Sequence, residues 1–440
     1  MSNRSNIPDF IQVTADEKLP ALQAGLLGLA HVLVMNVFVV AVLLAGILNL
    51  GEVQTSQLIQ SSFMGAGVAT LLQVFFGIRM PVAQGASFVP LGAMVGIYQA
   101  TGSFDAVMGA MLVASLVLFL LGLSGFYRKV TQVLIPNLVS GLIVMVIGLS
   151  LMPTAFINNI FIESGSLTMP QNILLASVTI ITLMVASLIG KYVPRLARPM
   201  AYCSVLLALG VGTGLAQLMG GVNWQAFQQA PWVTLPSMAF VNYHLAFDPS
   251  SIITMLLIFL VLLAETTGSW YAIASVSGEE LDQERMNRGV ILEGIENIIN
   301  SLLGASPTAS YSSNAGIIAM TGIASRSVFV GAGIIFIMLG FFGKLASLIS
   351  IIPTAVIGGI FAMVSFQIFL AGFNLVHPLL SSERNQYIVG IVVLVTLGSV
   401  LLPSEVSALA PNLIRYFLAS PIAVGALVGI VLNKCLPETE

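Results

Sequence analysis

The sequence predicts an all-α polytopic membrane protein: fourteen transmembrane segments as two inverted seven-segment repeats, with short strands breaking segments 3 and 10. Three observations carry this prediction: an apolar composition, the spacing of the apolar runs, and the placement of the basic residues. The chain has 440 residues, 57% of them hydrophobic and 8% charged, with a mean hydropathy of +1.01. A soluble domain carries about 25% charged residues, and a water-facing surface cannot hide this much apolar area. The 41 Gly and 19 Pro would break soluble helices but are tolerated in membrane-spanning ones. A barrel would instead show alternating apolar and polar residues.

Each crossing takes about 20 apolar residues. In chain order the apolar runs fall near 20–50, 57–77, 83–100, 106–126, 131–152, 173–190 and 199–219, then 251–276, 289–304, 313–324, 327–343, 345–372, 386–402 and 412–433. The third and tenth runs are short and interrupted by Pro, Gly and Ser. The fifth contains Ile135-Pro136-Asn137-Leu138-Val139-Ser140-Gly141 and the twelfth Ile352-Pro353-Thr354-Ala355-Val356-Ile357-Gly358. The two halves therefore repeat, and because seven is odd they have opposite orientation. That is the signature of secondary transporters whose paired broken helices mark a binding site near the bilayer midplane.

Charge tests the count. With the N-terminus in the cytoplasm, Arg4, Lys18, Arg79, Arg128, Lys129, Lys191, Arg195, Arg198, Arg285, Arg288, Arg326, Arg384 and Lys434 fall inside, and only Lys344 and Arg415 outside. This obeys the positive-inside rule, and losing one segment would invert everything downstream. Both termini are thus expected in the cytoplasm, in a multi-pass protein of the cell membrane. Residues 1–19 are polar, and the first apolar run, about 30 long, exceeds a leader's apolar region, so no cleaved leader is expected.

Several function classes drop out. The net charge of −3 and scattered basic residues offer no nucleic-acid stripe. Cys203 and Cys435 are the only cysteines, too few for a disulfide framework or a Cys-based metal site. With three His, metal chemistry has no support, so no metal or organic cofactor is expected. HExxH, G-x-S-x-G and Walker A motifs are absent, so an enzyme is not expected. Every Lys lies at or outside a span end, leaving none for a retinal Schiff base. A channel would differ from a carrier by lacking saturable, gradient-driven accumulation.

The candidate chemistry is carried by ionisable groups within spans, which are costly there and functional by default. Glu265 is mid-span in Leu262-Leu263-Ala264-Glu265-Thr266-Thr267-Gly268-Ser269. It is read as a site acid, against the plainer reading of a hydrogen-bond anchor between helices. Glu293 and Glu296 lie one helical turn apart early in segment 9. His31, in Ala30-His31-Val32-Leu33, is read either as a packing residue or as a coupling group. The two breaks read Pro81-Val82-Ala83-Gln84-Gly85-Ala86-Ser87-Phe88-Val89-Pro90 and Pro307-Thr308-Ala309-Ser310-Tyr311-Ser312-Ser313-Asn314-Ala315-Gly316. Pro and small residues stop the helix, and Ser and Asn are expected to cap new half-helices. Irregular backbone at this depth survives only against protein or a polar cavity. Two such breaks from opposite sides frame a small planar polar ligand. Half-helix N-termini would face its carbonyl oxygens, and Glu265 would accept from its ring N–H groups. Phe88 and Tyr311 either stack on its face or are ordinary core aromatics.

These residues resemble the nucleobase–ascorbate transporters, the nucleobase:cation symporters of the uracil/xanthine permease type. That family's signature is Gln, Glu or Pro, then Asn, any residue, Gly, four residues, Thr, and Arg, Lys or Gly. Here it reads Ser313-Asn314-Ala315-Gly316, then Ile317 to Met320, then Thr321-Gly322. Gln84-Gly85-Ala86-Ser87-Phe88 is similar to the family's segment-three strand, Pro307–Tyr311 to its segment-ten strand, and Ala264–Gly268 to its segment-eight acidic motif. Glu293-Gly294 resembles its segment-nine acid-Gly pair, and His31 matches a His common in segment one. The resemblance covers nearly the whole chain. Two positions depart from it: Ser313 stands where the family presents Gln or Glu, and Ser269 where it often has Asp or His. Both remove reach or charge from the site.

The resemblance implies a core domain of segments 1–4 and 8–11 and a gate domain of segments 5–7 and 12–14. In this chain that gives a tail 1–19, core 20–126, gate 127–219, extracytoplasmic linker 220–250 (with Trp224, Trp232 and Tyr243), core 251–343 and gate 344–440. It implies proton- or sodium-driven symport by alternating access and, often, a homodimer through the gate. Substrate would be held by Glu265, by the backbone at Phe88 and around Ser313 and Asn314, and by Ser87, Gln84, Ser269 and Tyr311. Glu265, Glu293, Glu296 and His31 would carry coupling, with the proton as the ion. A carboxylate that must be ionised to accept from the base, in surroundings that disfavour charge, links proton movement to base binding. The tail Thr321-Gly322-Ile323-Ala324-Ser325-Arg326 looks more like the xanthine and urate members than the uracil ones. A purine is therefore favoured, with a pyrimidine permease or an anion transporter of the same architecture as alternatives. Against the anion reading, no basic residue lies mid-span.

Overall fold

The computed structural model describes residues 7–48, 50–127, 136–163, 166–407, 409–411, 414–415, 418 and 420–436. The expected start of segment 5 at 131 and much of the expected start of segment 14 (412–413, 416–417 and 419) lie outside these. The described chain is helical apart from one pair of short strands. In order, the elements are α1 (Ala21–Met35), α2 (Phe38–Ile47), α3 (Glu52–Phe75), β1 (Gln84–Ala86), α4 (Leu91–Thr101), α5 (Phe104–Ser124), α6 (Asn137–Ile157), α7 (Met169–Tyr192) and α8 (Ala197–Leu218). There follow α9 (Trp224–Gln229), α10 (Pro249–Ser277), α11 (Gln283–Leu303), β2 (Thr308–Ser310), α12 (Ser313–Thr321), α13 (Arg326–Phe341), α14 (Gly343–Ser350), α15 (Thr354–Val376), α16 (Glu383–Val400), α17 (Ser404–Ser407) and α18 (Pro421–Cys435). Among the described residues, 7 helices are long and apolar enough to cross a membrane, α1 and α2 together counting as one span. An eighth is gained if α13 and α14, bent by 78° at their junction, form one span.

Local chemistry sets the boundaries. Ser103, Asp248 and Asp282 cap α5, α10 and α11 through side-chain oxygens that accept from Asp105 N, Ser251 N and Arg285 N at 3.1, 2.8 and 2.7 Å, filling donors a helix start leaves open. The stops of α11 and α12 fall at Gly304 (φ +65°) and Gly322 (φ +69°), a left-handed conformation glycine adopts without a Cβ clash. Between α1 and α2, Asn36 takes φ +50° and interrupts the helix.

In lipid, association relies on close packing rather than on escape from water, so interfaces favour small residues. A Cβ at Gly28 of α1 would lie 2.6 Å from Ala332 N of α13, and one at Gly294 of α11 would lie 2.5 Å from Phe119 N of α5. Two packing groups result. In one, α13 packs on α1 and α3, and α11 on α3 and α5, with α10 on α5. In the other, α6 packs on α15, α16 and α18, α7 on α8 and α15, and α16 on α18.

Residues 220–250 lie over the ends of the first group. Tyr243 donates its hydroxyl to Ser301 O at 2.6 Å, and Ala239 N donates to Leu302 O at 2.8 Å. Burial pushes the Tyr243 phenol up, which keeps it a donor. Lys344 Nζ lies 4.8 and 5.7 Å from the ring centres of Phe227 and Trp232 and donates to Gln228 O and Ala230 O at 3.0 and 3.2 Å.

Candidate functional site

The strands meet antiparallel, with Gln84 opposite Ser310, Gly85 opposite Ala309 and Ala86 opposite Thr308. Ser87 N to Pro307 O at 2.8 Å and Tyr311 N to Ala83 O at 3.1 Å extend the ladder. All six strand residues are buried. A two-stranded sheet has two unpaired edges, and buried backbone groups need partners. Side chains supply them. On β1, Thr70 Oγ1 of α3 accepts from Gln84 N at 2.9 Å and lies 3.4 Å from Gln84 O, to which it donates. On β2, Asn297 of α11 accepts from Thr308 N at 2.8 Å and donates to Thr308 O at 3.2 Å. Each thus stands in for a missing strand. Ser310 N donates to Thr266 Oγ1 at 3.2 Å.

The three candidate carboxyls gather around this pair. Ser87 donates its hydroxyl to Glu265 Oε2 at 2.6 Å; Glu265 is half-buried, and its Oε1 has no hydrogen-bond partner among the described residues. Glu293 and Glu296 are fully buried. Glu293 accepts from Thr266 Oγ1 at 2.8 Å, Gln84 Nε2 at 3.3 Å and Gln73 Nε2 at 3.5 Å. Glu296 accepts from Gln73 Nε2 at 3.1 Å and Thr308 Oγ1 at 3.3 Å. The ion pairs found among the described residues, Arg285–Glu279, Arg288–Glu284 and Arg326–Asp16, involve none of these three.

His31 is buried; its Nδ1 lies 2.8 Å from Asn314 Oδ1. Asn314 Nδ2 donates to Tyr311 O at 3.1 Å, which turns the amide oxygen to the ring, so Nδ1–H is the donor. The Phe329 ring packs against the His31 ring, ring centres 4.5 Å apart. The Tyr311 hydroxyl donates to Ala86 O at 2.6 Å. Phe88, just after β1, stacks on Phe361 of α15 at 5.7 Å and 25°, which ties the strand pair to the second packing group. Ser313 opens α12 and is exposed, whereas Ser269, one turn beyond Glu265, is buried.

The structure thus brings Glu265, Ser87, Gln84, Glu293, Glu296, Asn314, Tyr311 and His31 into one hydrogen-bonded region. It corrects the capping expectation. Pro90 and Ser312 precede α4 and α12, and neither caps through its side chain; Asn314 instead joins Tyr311 O to His31. Gln84 is fully buried with its amide on Glu293. Sequence reasoning missed Thr70, Gln73, Thr266, Asn297, Asn300 and Thr308. One signal was available: Glu293, Glu296, Asn297 and Asn300 follow helical spacing inside an otherwise apolar run.

With this geometry in place, comparison with known proteins decides the family. The family profile Xan_ur_permease, described as Permease family, matches residues 22–405. This chain belongs to that family. Among relatives, the permease is 31% identical over 427 residues to the uric acid permease PucK of Bacillus subtilis, covering 95% of this chain and 96% of that one. It is 29% identical to a xanthine permease of the same organism, covering 92% of each. Its fold is similar to the transmembrane domain of the cyanobacterial bicarbonate transporter BicA, with TM-score 0.60 and 17% identity, covering 96% of this chain and 100% of that one. The permease is therefore a multi-pass membrane transporter and not an enzyme.

Proposed function

We propose that this permease is a secondary active transporter that carries a nucleobase, in preference a purine such as xanthine or urate, together with a proton across the cytoplasmic membrane by alternating access. The observation that carries this reading is Glu265. Its carboxyl is held by Ser87 at 2.6 Å beside the strand pair, half-open, with one oxygen left to accept from a ring N–H. An ionised acceptor matched to lactam N–H donors makes the stronger class of hydrogen bond. Ser313 and the N-terminus of α12 offer donors nearby to a base carbonyl. Relatives named for uric acid and xanthine support the purine preference. A uracil permease is the second reading, since Ser313 matches neither the purine nor the uracil type and a relative of that name is 30% identical. The anion reading is weaker: among the described residues no Arg or Lys side chain bonds to the three carboxyls, and the likeness to BicA is one of fold.

The fourteen-segment, inverted-repeat reading belongs to this proposal. Exchanging each segment for the one seven places along maps the packing onto itself. α3 on α13 becomes α11 on α5, α1 on α13 becomes α10 on α5, and α7 on α8 becomes α16 on α18. The strands run antiparallel, and Thr70 on α3 mirrors Asn297 on α11. This supports a core of segments 1–4 and 8–11 moving against a gate of segments 5–7 and 12–14. Both termini are placed in the cytoplasm, and a homodimer forms through the gate. Proton coupling runs through Glu265 and Glu293, with Glu296 and His31 beside them.

The test is uptake of labelled xanthine by cells lacking their own nucleobase permeases, with excess unlabelled urate, guanine, hypoxanthine or uracil, and with and without a protonophore. Protonophore-sensitive uptake blocked by purines is the expected outcome. Block by uracil alone selects the second reading. No uptake of labelled xanthine by membrane-resident protein refutes the purine reading, and no uptake of labelled uracil in the same cells refutes the second.

A further inference from the structure

We propose that Glu293 and Glu296 form an acid–carboxylate pair that holds one proton between them and fastens both strands, making Glu296 a positioning residue for coupled transport; the transport half of this rests on the reading above.

The two carboxyls are fully buried, and the Oε2 atoms of both lie within 3.5 Å of one nitrogen, Gln73 Nε2. The donor count points to the shared proton. Gln73 Oε1 accepts from Ile78 N at 3.2 Å, which fixes the amide's orientation. Its Nε2 has two hydrogens and faces three acceptors: Gly289 O at 3.0 Å, Glu296 Oε2 at 3.1 Å and Glu293 Oε2 at 3.5 Å. The amide cannot serve all three, so a further hydrogen is needed between the acids. Glu296 is its seat, because Glu293 already receives Thr266 and Gln84 as well as Gln73.

Charge agrees too. Arg285 and Arg288, on the same helix, pair with Glu279 and Glu284 at its cytoplasmic end. Around the pair, α10 offers Glu265, bonded to Ser87, and Tyr271, bonded to Met286 Sδ at 3.7 Å. Tyr127 bonds Thr267. Asp105 of α5 accepts from His244 N in the linker, and Glu52 of α3 from Asn223. Among the described residues no cation compensates the pair. Two like charges this close and this buried do not both ionise, so the proton belongs to the pair as a unit.

The pair also has a mechanical output. Glu293 holds Gln84 of β1, and Glu296 holds Thr308 of β2, whose hydroxyl accepts from Asn300 Nδ2 at 2.8 Å and so turns its own hydrogen to Glu296. Loss of the proton sets the two carboxylates in repulsion and loosens one strand against the other.

Infrared difference spectroscopy of the purified full-length protein tests this without any substrate. The Glu296→Gln minus wild-type spectrum at neutral pH should lose the carbonyl stretch of one protonated carboxyl. A difference spectrum without that loss overturns the pair. If Glu296→Gln does not fold, Glu265→Gln takes its place: a protonated-carboxyl band must persist there, and its absence overturns the proposal. The transport half is read from xanthine exchange at matched pH on both sides. Wild-type exchange should fall about tenfold per pH unit on the alkaline side, as a one-proton requirement dictates, and Glu296→Gln by less than about twofold. An unchanged profile removes Glu296 from coupling. Absence of exchange by the wild type refutes the nucleobase reading and leaves the infrared result to decide the pair.

Discussion

Glu265 owes its availability to an unequal division of labour between its two oxygens. Oε2 takes the Ser87 hydroxyl at 2.6 Å, and Oε1 has no hydrogen-bond partner among the described residues. Replacing the carboxylate by an amide turns one acceptor position into a donor facing a donor. A hydrogen bond to a charged group contributes about 1.5–3 kcal/mol. Glu265→Gln should therefore raise the Kd for a lactam base by about ten- to a hundredfold, read by displacement of labelled xanthine from purified protein. Ser87→Ala should cost less, because it removes only the group that orients the acid. Equal binding by wild type and Glu265→Gln would move the site elsewhere. This residue was visible in the sequence because an acid in an apolar run has few structural excuses. Gln73, which touches both remaining acids, was not. A single Gln in segment 2 says nothing until α3 and α11 are known to pack together.

The strand pair shows what an element needs in order to exist at this depth. Three-residue strands cannot hold themselves together in water; here four backbone edge groups are closed by Thr70 and Asn297. Asn297→Ala strands the N–H and the C=O of Thr308, at roughly 1–3 kcal/mol each. Its expected signature is a lower melting temperature together with lost base binding, whereas a substitution on a lipid-facing helix surface should move neither. Gly294 makes a different demand. A branched side chain there meets the α5 backbone at Phe119, and overpacking costs about 1–3 kcal/mol. Gly294→Val should weaken thermal stability measured in detergent, and an unchanged melting curve would mean that α5 and α11 can part without cost. The breaks that hold these strands were legible from Pro, Gly and Ser clustering in two otherwise apolar runs. Their pairing partners were not, because antiparallel contact between residues 84 and 310 is a property of the whole topology. Nor were the missing Ser and Asn caps: Asn314 has a better partner in His31, which only the docking of α1 beside α12 brings near.

At the scale of the molecule, the helices fall into two packing groups, and the three candidate carboxyls all lie in the first. Glu265, Ser87 and Ser313 come from the group built on α1–α5 and α10–α13, and Phe88 reaches across to Phe361 of α15. Such a site can be handed from one face of the membrane to the other if the two groups rock while the strands stay fixed to the first. Ser313 is the reporter for this, since it is exposed at the start of α12, and the chain's only native cysteines, Cys203 and Cys435, are replaceable by Ser. In that background Ser313→Cys should react with an impermeant thiol reagent from either side of inside-out and right-side-out vesicles. The rate should fall on adding the transported base, because the ligand covers the position. Reaction from one side only, unaffected by base or by the direction of the proton gradient, would mean that the two packing groups do not rock, and the antiparallel strands would then serve a fixed pore rather than a carrier.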